Sequence, residues 1–400
     1  MSNKNRVIGI AIITAIAVLG DAMLFIVLPI YWREFGLTAL WQIGLLLSIN
    51  RFIRLPINPL VGLFYRHFQL RTGVVIAVVI AVITTFSYGI FQDFWVLLLM
   101  RALWGIAWSL LRLGGFLTVI EVSNDESRGH HVGLYNGLWG IGGLVGMLAG
   151  GFLVDQTSVY FVSTLFSVLG VIIFPFIFYL VPLIKASDTK KKSTGTNKKW
   201  LTSYVGMVLT TGIVLGMIVF GLFASTVSAL IERVYINDWS LFGMVLGAAS
   251  IAGALQAIRW GWDPFIAPRI GRMLDKSDVA AKFLFIPLFG GGLLFLILGN
   301  TQSIYLLIFF LLLYQISSTF FVTITDTLAT SVASKTDAVK VITAHTVVVD
   351  VGAAIGPVLS FLILHYFGLT AVYMVAGVLL LILGVGWTIF LKRNNEDLSQ

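Results

Sequence analysis

The chain has 400 residues, of which 58% are hydrophobic and only 11% charged, and its mean hydropathy is +0.97. A soluble domain averages about 25% charged residues, so the composition excludes a soluble globular protein and describes an integral membrane protein with little mass outside the bilayer. The net charge of +8 lies in short loops between apolar runs, which excludes a nucleic-acid footprint, and zero cysteines exclude disulfides and thiolate metal sites.

A membrane span needs about 20 mostly apolar residues. Twelve runs qualify, at 7–31, 41–64, 72–91, 94–120, 131–153, 158–181, 204–231, 241–265, 282–299, 303–330, 340–363 and 368–391. The first is read as a retained span, because it is long for a signal peptide and no small-residue cleavage site ends it. Spans 3, 6, 9 and 12 carry no charge in their interiors. Charges do occur in span 1 (Asp21), span 2 (Arg51, Arg54), span 4 (Arg101, Arg112), span 8 (Arg259, Asp263), span 10 (Asp326) and span 11 (Asp350). An ionisable side chain inside the membrane is costly unless it faces protein or a wet cavity. Every third helix therefore reads as a lipid-facing buttress, and the others surround a solute pathway.

Lysine and arginine fix the orientation. Lys4, Arg6, Arg66, Arg71, Arg128, the cluster from Lys185 to Lys199, Arg269, Arg272, Lys276, Lys282, Lys335, Lys340, Lys392 and Arg393 share one side, against Arg33 and Arg233 on the other. Both termini are expected in the cytoplasm. The domain reading is a six-span bundle over 1–182, a Lys-rich cytoplasmic linker over 183–200, a second six-span bundle over 201–393 and a short tail over 394–400.

The halves repeat. Pro59-Leu-Val-Gly62 is answered by Pro268-Arg-Ile-Gly271 at an offset of 209, and Gly142-x-x-x-Gly146-Met147-x-x-Gly150-Gly151 by Gly352-x-x-x-Gly356-Pro357-x-x-Ser360 at 210. Two independent landmarks at nearly one offset argue for a duplicated six-helix unit.

These landmarks resemble the major facilitator superfamily, over essentially the whole chain, and within it the twelve-span drug–proton antiporters. The family's loop signature, G-x-x-x-D-[RK], is matched by Gly271-Arg-Met-Leu-Asp275-Lys276. In the first copy, Gly62-Leu-Phe-Tyr-Arg66-His67, closing with Arg71, an arginine stands at the acidic position. Arg101 in Arg101-Ala-Leu-Trp-Gly105 matches the family's buried arginine. The span-5 glycines match the exporter motif except that Met147 replaces its proline, which span 11 keeps as Pro357. Asp21 with Pro29 resembles the antiporters' first span. The resemblance implies an all-α fold of two pseudo-symmetric six-helix bundles, in a bacterial cytoplasmic membrane, acting as a monomer on a small solute and protons. It assigns Arg101, Gly62, Arg71, Gly146, Gly150, Gly271, Asp275, Gly356 and Pro357 to gating and helix packing.

Helical spacing gathers the remaining polar groups. Asn50, Arg54 and Asn58 follow i, i+4, i+8 in span 2, with Arg51 beside them; Arg101, Trp108 and Arg112 form a stripe in span 4. A guanidinium presents a planar fork suited to carboxylate or phosphate, and tryptophan adds stacking and cation–π surface. The candidate substrate-binding residues are Arg51, Arg54, Asn58, Trp108, Arg112, Asn136 and Thr323. The competing account is that these arginines pair with Asp21, Glu121 or backbone carbonyls and only hold helices together. Arg259 and Asp263, at i and i+4, read as neutralising each other. Asp326 lies on a polar stripe with Gln315, Thr319, Thr323 and Thr330, and Asp350 shares a face with Thr346. Asp21, Asp326 and Asp350 are the proton-coupling candidates, each alternatively a fixed salt bridge to an arginine of the other half. His67, His130 and His131 read as loop residues, and His345 as a remote member of a proton path.

No zinc spacing, phosphate-binding loop or catalytic triad appears, so no cofactor, metal or enzymatic chemistry is expected. The leading function is proton-coupled export of a small organic solute, anionic or amphiphilic, by alternating access. A symporter importing an organic anion, favoured by the arginine excess, and an amphiphile flippase are the alternatives. A non-transporting sensor ranks last, having little use for the span-10 stripe. The cysteine-free chain makes the topology testable: a cysteine introduced at Thr194 is expected to react only from the cytoplasm and one at Asp238 only from outside, and the reverse pattern refutes the assigned orientation.

Overall fold

The computed structural model describes residues 3–122, 128–181, 183, 201–236, 239–241, 243–275, 280–335 and 338–397. Eleven of the twelve apolar runs are helical nearly throughout; the eighth, read from 241, begins its helix only at Ala248, after a short ribbon. The first half comprises α1 (Asn3–Tyr31), α2 (Leu40–His67), α3 (Leu70–Ile90), α4 (Phe94–Val122), α5 (Arg128–Gln156) and α6 (Val159–Leu180). The second comprises α7 (Ser203–Val234), α8 (Ala248–Asp275), α9 (Ala281–Asn300), α10 (Ile304–Lys335), and α11 and α12 within Ala338–Asp397. Gly368 separates the last two at φ 81°, a backbone conformation that costs glycine little. A two-residue antiparallel ribbon, Ser240–Leu241 with Met244–Val245, lies between α7 and α8. The linker over 184–200, Lys276 and the side chain of Asp275 lie outside the described residues.

Polar side chains set several helix starts. Ser158 Oγ accepts from Phe161 N–H at 3.2 Å before α6, and Thr202 Oγ1 from Val205 N–H at 3.2 Å before α7. Among the described residues, nine helices are long and apolar enough to cross a membrane by length and composition. The last, 54 residues over Lys340–Arg393, supplies two spans, and α2 and α8, each 28 residues with internal arginines, complete twelve. The charge-free helices turn apolar side chains outward: Ile83 and Phe86 on α3, Val171 and Ile172 on α6, Leu293 on α9, Ile382 and Ile389 on α12. Such surface is stable against lipid. The protein is a multi-pass membrane protein.

Backbone contacts gather the chain into two compact units. One holds α1–α6 together with Val227–Trp260; the other holds the rest of α7, α8 from Gly261 onward, and α9–α12. In the first, α1 and α5 pack closely: a Cβ at Gly142 would run into the Ala15 carbonyl, and one at Gly146 would stand 2.6 Å from the Leu19 carbonyl oxygen. In the second, α7 and α11 repeat the device, with Gly352 against the Ile213 carbonyl and Gly356 within 2.6 Å of Gly221 Cα. The sequence suggests that these glycines meet neighbours across the interface between halves. They instead seat α5 on α1 and α11 on α7, each inside its own half. Where α7 receives α11, residues Gly216–Phe223 form a π-helical stretch, and α9 has a second over Ile286–Gly290, where Pro287 withholds an N–H.

Leucine at Gly146 drives its side chain into the α1 backbone, and overpacking of this kind costs about 1–3 kcal/mol. Gly137, on the same helix, has nothing within 4 Å of its Cβ position. Gly146→Leu is expected to lower the detergent melting temperature and Gly137→Leu to leave it unchanged, as read by thermal unfolding.

Candidate functional site

The deepest charge in the first unit is Arg101. It is 1% exposed, donates from Nε to the Leu46 carbonyl at 2.9 Å, and forms an ion pair through Nη1 with Asp21 Oδ1. Asn50 Nδ2 donates to the same carboxylate oxygen at 3.3 Å, and the Tyr88 ring lies 6.0 Å from the guanidinium. Four helices converge here because Gly105 leaves room: a Cβ on it would stand 2.5 Å from the Asn50 carbonyl oxygen. Asp21 is thus matched by an arginine of its own half, not of the other. Tyr88 and the Leu46 carbonyl escaped the sequence reading, since neither carries a charge that flags it.

One turn beyond Trp108, Arg112 sits in different surroundings. Its Cζ lies 5.3 Å from the Phe116 ring centre, 5.6 Å from Trp139 and 5.9 Å from Trp108. Trp104, Trp108, Trp139 and Trp260 form a ladder with successive ring separations of 6.3, 5.0 and 6.1 Å. Asn136 Oδ1 accepts from Trp139 Nε1 at 3.1 Å and holds that ring in place. Arg112 is half-buried and, among the described residues, has aromatic faces but no carboxylate partner. On α2, Arg51 and Arg54 are half-buried and Asn58 is exposed. Phe116, one turn beyond Arg112 on α4, is a cage member that the sequence reading did not single out, and Trp260 extends the ladder from Trp139.

In the second unit the expected stripe on α10 runs from buried to open. Gln315 and Thr319 are buried, Thr323 is half-buried, and the Asp326 side chain is 62% exposed. Thr323 Oγ1 returns to the Thr319 carbonyl at 2.8 Å. Thr319 Oγ1 also donates to Asp263 Oδ1 at 2.5 Å, which gives Asp263 a partner on another helix besides the expected i, i+4 arginine. Asp326 Oδ1 lies 3.8 Å from Nε2 of His345 on α11, whose side chain is 7% exposed. Helical spacing within one span could not show that pairing. Asp350 is half-buried on α11, one turn from the exposed Thr346.

The loop-motif residues are more scattered. Arg71 clamps the end of α6, donating from Nε and Nη2 to the Val181 carbonyl at 2.9 and 2.8 Å. Arg66 is exposed, and Cβ positions at Gly62 and Gly271 meet nothing within 4 Å. Gly150 packs on Met23, with 2.7 Å from its Cβ position to Met23 Cγ, and the Pro357 ring packs on Gly221, with 3.1 Å from that glycine's Cβ position to Pro357 Cδ. Among the described residues, no cluster of three or more histidines, cysteines or carboxylates could hold a metal ion.

Twelve apolar helices in a repeated six-helix pattern define a membrane-transporter fold. The family model of the Major Facilitator Superfamily matches residues 10–263 and 264–400, and the chain belongs to that superfamily. It is 26% identical over 392 residues to the multidrug resistance protein MdtG of Citrobacter koseri, covering 93% of this chain and 91% of that protein. It is 23% identical over 214 residues to the quinolone resistance protein NorA of Staphylococcus aureus. That match covers 52% of this chain, which spans about half (53%) of NorA's length. A bacterial homologue of the human lysosomal transporter Spinster shares the fold, with a TM-score of 0.75 at 14% identity over 98% of this chain and 97% of that one.

Removing one partner of a buried ion pair strands the other and typically costs about 3–5 kcal/mol. Asp21→Asn is expected to destabilise the first unit on that scale, and adding Arg101→Met should recover much of the loss. Thermal unfolding of the single and double variants reads the coupling directly.

Proposed function

We propose that this transporter exports a small organic solute across the cytoplasmic membrane of a bacterium in exchange for protons, by alternating access and without covalent chemistry on the solute. The observation that carries this reading is Arg112: a permanent cation inside a membrane bundle that, among the described residues, is held by aromatic faces rather than by an acid. An ion so placed is costly unless its surroundings are wet or a counter-charge arrives, and a solute with an anionic or polar group on a flat apolar body meets both the fork and the rings. Trp108, Asn136, Arg51, Arg54, Asn58 and Thr323 are assigned to the same solute path. The export direction draws on the resistance functions named for MdtG and NorA. The distribution of lysine and arginine supports cytoplasmic termini, and the protein is taken to act as a monomer with lipid as its other partner.

Protons are assigned to the second unit. The Asp326 side chain is partly exposed and faces an imidazole, a group that itself gains and loses protons near neutral pH. Asp21 is committed to Arg101, and Asp350 stands behind both as a candidate. Import of an organic anion with protons is the second reading, favoured by the concentration of arginine in the first half.

Proteoliposomes with an imposed pH gradient test these assignments, with a fluorescent quinolone as probe. Arg112→Ala is expected to weaken binding at equal pH on both sides. Asp326→Asn should bind the probe but fail to accumulate it against its gradient. Full accumulation by Asp326→Asn, alongside loss in a folded Asp21→Asn, moves the coupling site to Asp21. Accumulation only when protons and probe move the same way selects import.

A further inference from the structure

The connection between α7 and α8 is unlike the others at its end of the first unit. Successive spans reverse direction, so α2, α4, α6 and α8 all begin at this end. The turn before α2 exposes Arg33 and Glu34, and the turn before α4 exposes Gln92 and Asp93. Polar side chains of that kind keep their hydrogen bonds in contact with water. Before α8 the sequence from Trp239 to Leu246 reads WSLFGMVL, with Ser240 as its one hydroxyl and no charge. In the ribbon, Leu241 pairs with Met244 and Ser240 with Val245, and Gly243 turns the chain at φ 81°. Leu241, Met244 and Val245, with Ile236 just beyond the end of α7, range from 40% exposed (Met244) to 87% exposed (Ile236).

The ribbon is held in place by its polar groups. Tyr235 Oη accepts from the Trp239 N–H at 3.0 Å and donates to the Leu246 carbonyl at 2.9 Å, and the Leu246 N–H donates to the Trp239 carbonyl at 2.8 Å. The Tyr235 and Trp239 rings pack edge to face with centres 5.4 Å apart. Gln156 Nε2, on the last residue of α5, donates to the Val245 carbonyl at 2.6 Å. Beside it, Asp155 Oδ2 accepts from Ser250 N–H at 2.7 Å and from Ser250 Oγ at 2.5 Å, which fixes the start of α8 to the same helix end. All of these groups belong to the first unit. The backbone is engaged with protein, and what the segment turns outward is aliphatic.

We propose that this ribbon is a bilayer contact: Ile236, Leu241, Met244 and Val245 enter the boundary between headgroups and acyl chains, and lipid is the partner that covers them. Apolar surface left in water is unfavourable in proportion to its area, and acyl chains remove that cost. Trp95 and Tyr160, exposed on the first turns of α4 and α6, mark the level of the boundary at this end of the same unit, because indole and phenol rings concentrate there. The ribbon therefore continues the lipid-facing surface of α3 and α6. A ladder of two residues leaves backbone groups outside it that hydrocarbon cannot satisfy, so the ribbon rests at the interface and does not enter the core of the bilayer. Among its described residues none is a tryptophan, tyrosine or arginine of the kind that anchors a protein partner. On the orientation assigned above, the leaflet is the outer one.

The test needs no transported solute. The chain has no cysteine, so one spin label at a time can be attached at Leu241→Cys, Met244→Cys or Ile236→Cys in the full protein, in vesicles of phosphatidylcholine and phosphatidylglycerol. Oxygen concentrates among acyl chains and a nickel chelate in water, so the ratio of their collision rates reports the medium around the label. Ile83→Cys on the charge-free α3 and Glu34→Cys in the turn after α1 set the lipid and water limits. Leu241→Cys and Met244→Cys are expected to give a ratio several-fold above that of Glu34→Cys and close to that of Ile83→Cys. A ratio at either site no higher than that of Glu34→Cys overturns the proposal. So does an immobilised label that neither reagent reaches, since protein would then cover the ribbon. Met244→Asp, added to Ile236→Cys, should lower the ratio at that label by drawing the ribbon toward water; an unchanged ratio refutes the shared anchoring.

Discussion

A guanidinium buried among apolar helices has to be answered where it stands, and the first six-helix bundle is arranged around that requirement. Arg101 reaches the Leu46 carbonyl on α2 and the Asp21 carboxylate on α1, so a register slip of any of the three helices would leave an ion without its partner. The small Gly105 brings α2 close enough for the reach. With those helices placed, Trp108 and Arg112 fall about two and three turns beyond Arg101 along the same face of α4. A contact made for folding thereby aims the residues assigned to the solute.

The two halves solve the same packing problem with different charges. Paired glycines seat α5 on α1 and α11 on α7, with close backbone approach in both. The first half keeps an arginine answered by an acid and another caged by aromatic rings. The second keeps threonines bonded back to their own helix, with Asp263 and Asp326 on hydroxyl and imidazole partners. One duplicated scaffold thus carries a paired and a caged arginine in its first half and carboxylates on hydroxyl and imidazole partners in its second.

Much of the fold was legible because its signals are local. The apolar runs, the paired proline and glycine landmarks and the positive loops each lie within one span. Arg101 against Asp21 was one of the pairings open to the sequence, since both charges were visible even though their contact was not. Partnerships between distant segments were not legible. Asp155 and Ser250 stand 95 residues apart, and neither residue looks unusual at a helix end. His345 stood in the sequence only as a remote member of a proton path, and its partner Asp326 showed once α11 was laid beside α10. The π-helical stretch in α7 contains no proline, so only its packing against the glycines of α11 marks it.

The tryptophan ladder makes the bundle its own optical probe. Four of the eleven indoles follow one another at ring separations of 5.0 to 6.3 Å, and two of them, Trp108 and Trp139, face one cation, Arg112. Their excited states share energy at such separations, and a nearby guanidinium perturbs the ring it touches most closely. Any molecule that draws Arg112 aside rearranges the electrostatic surroundings of Trp108 and Trp139 together. A molecule bound there would therefore alter the ultraviolet emission of the unlabelled protein.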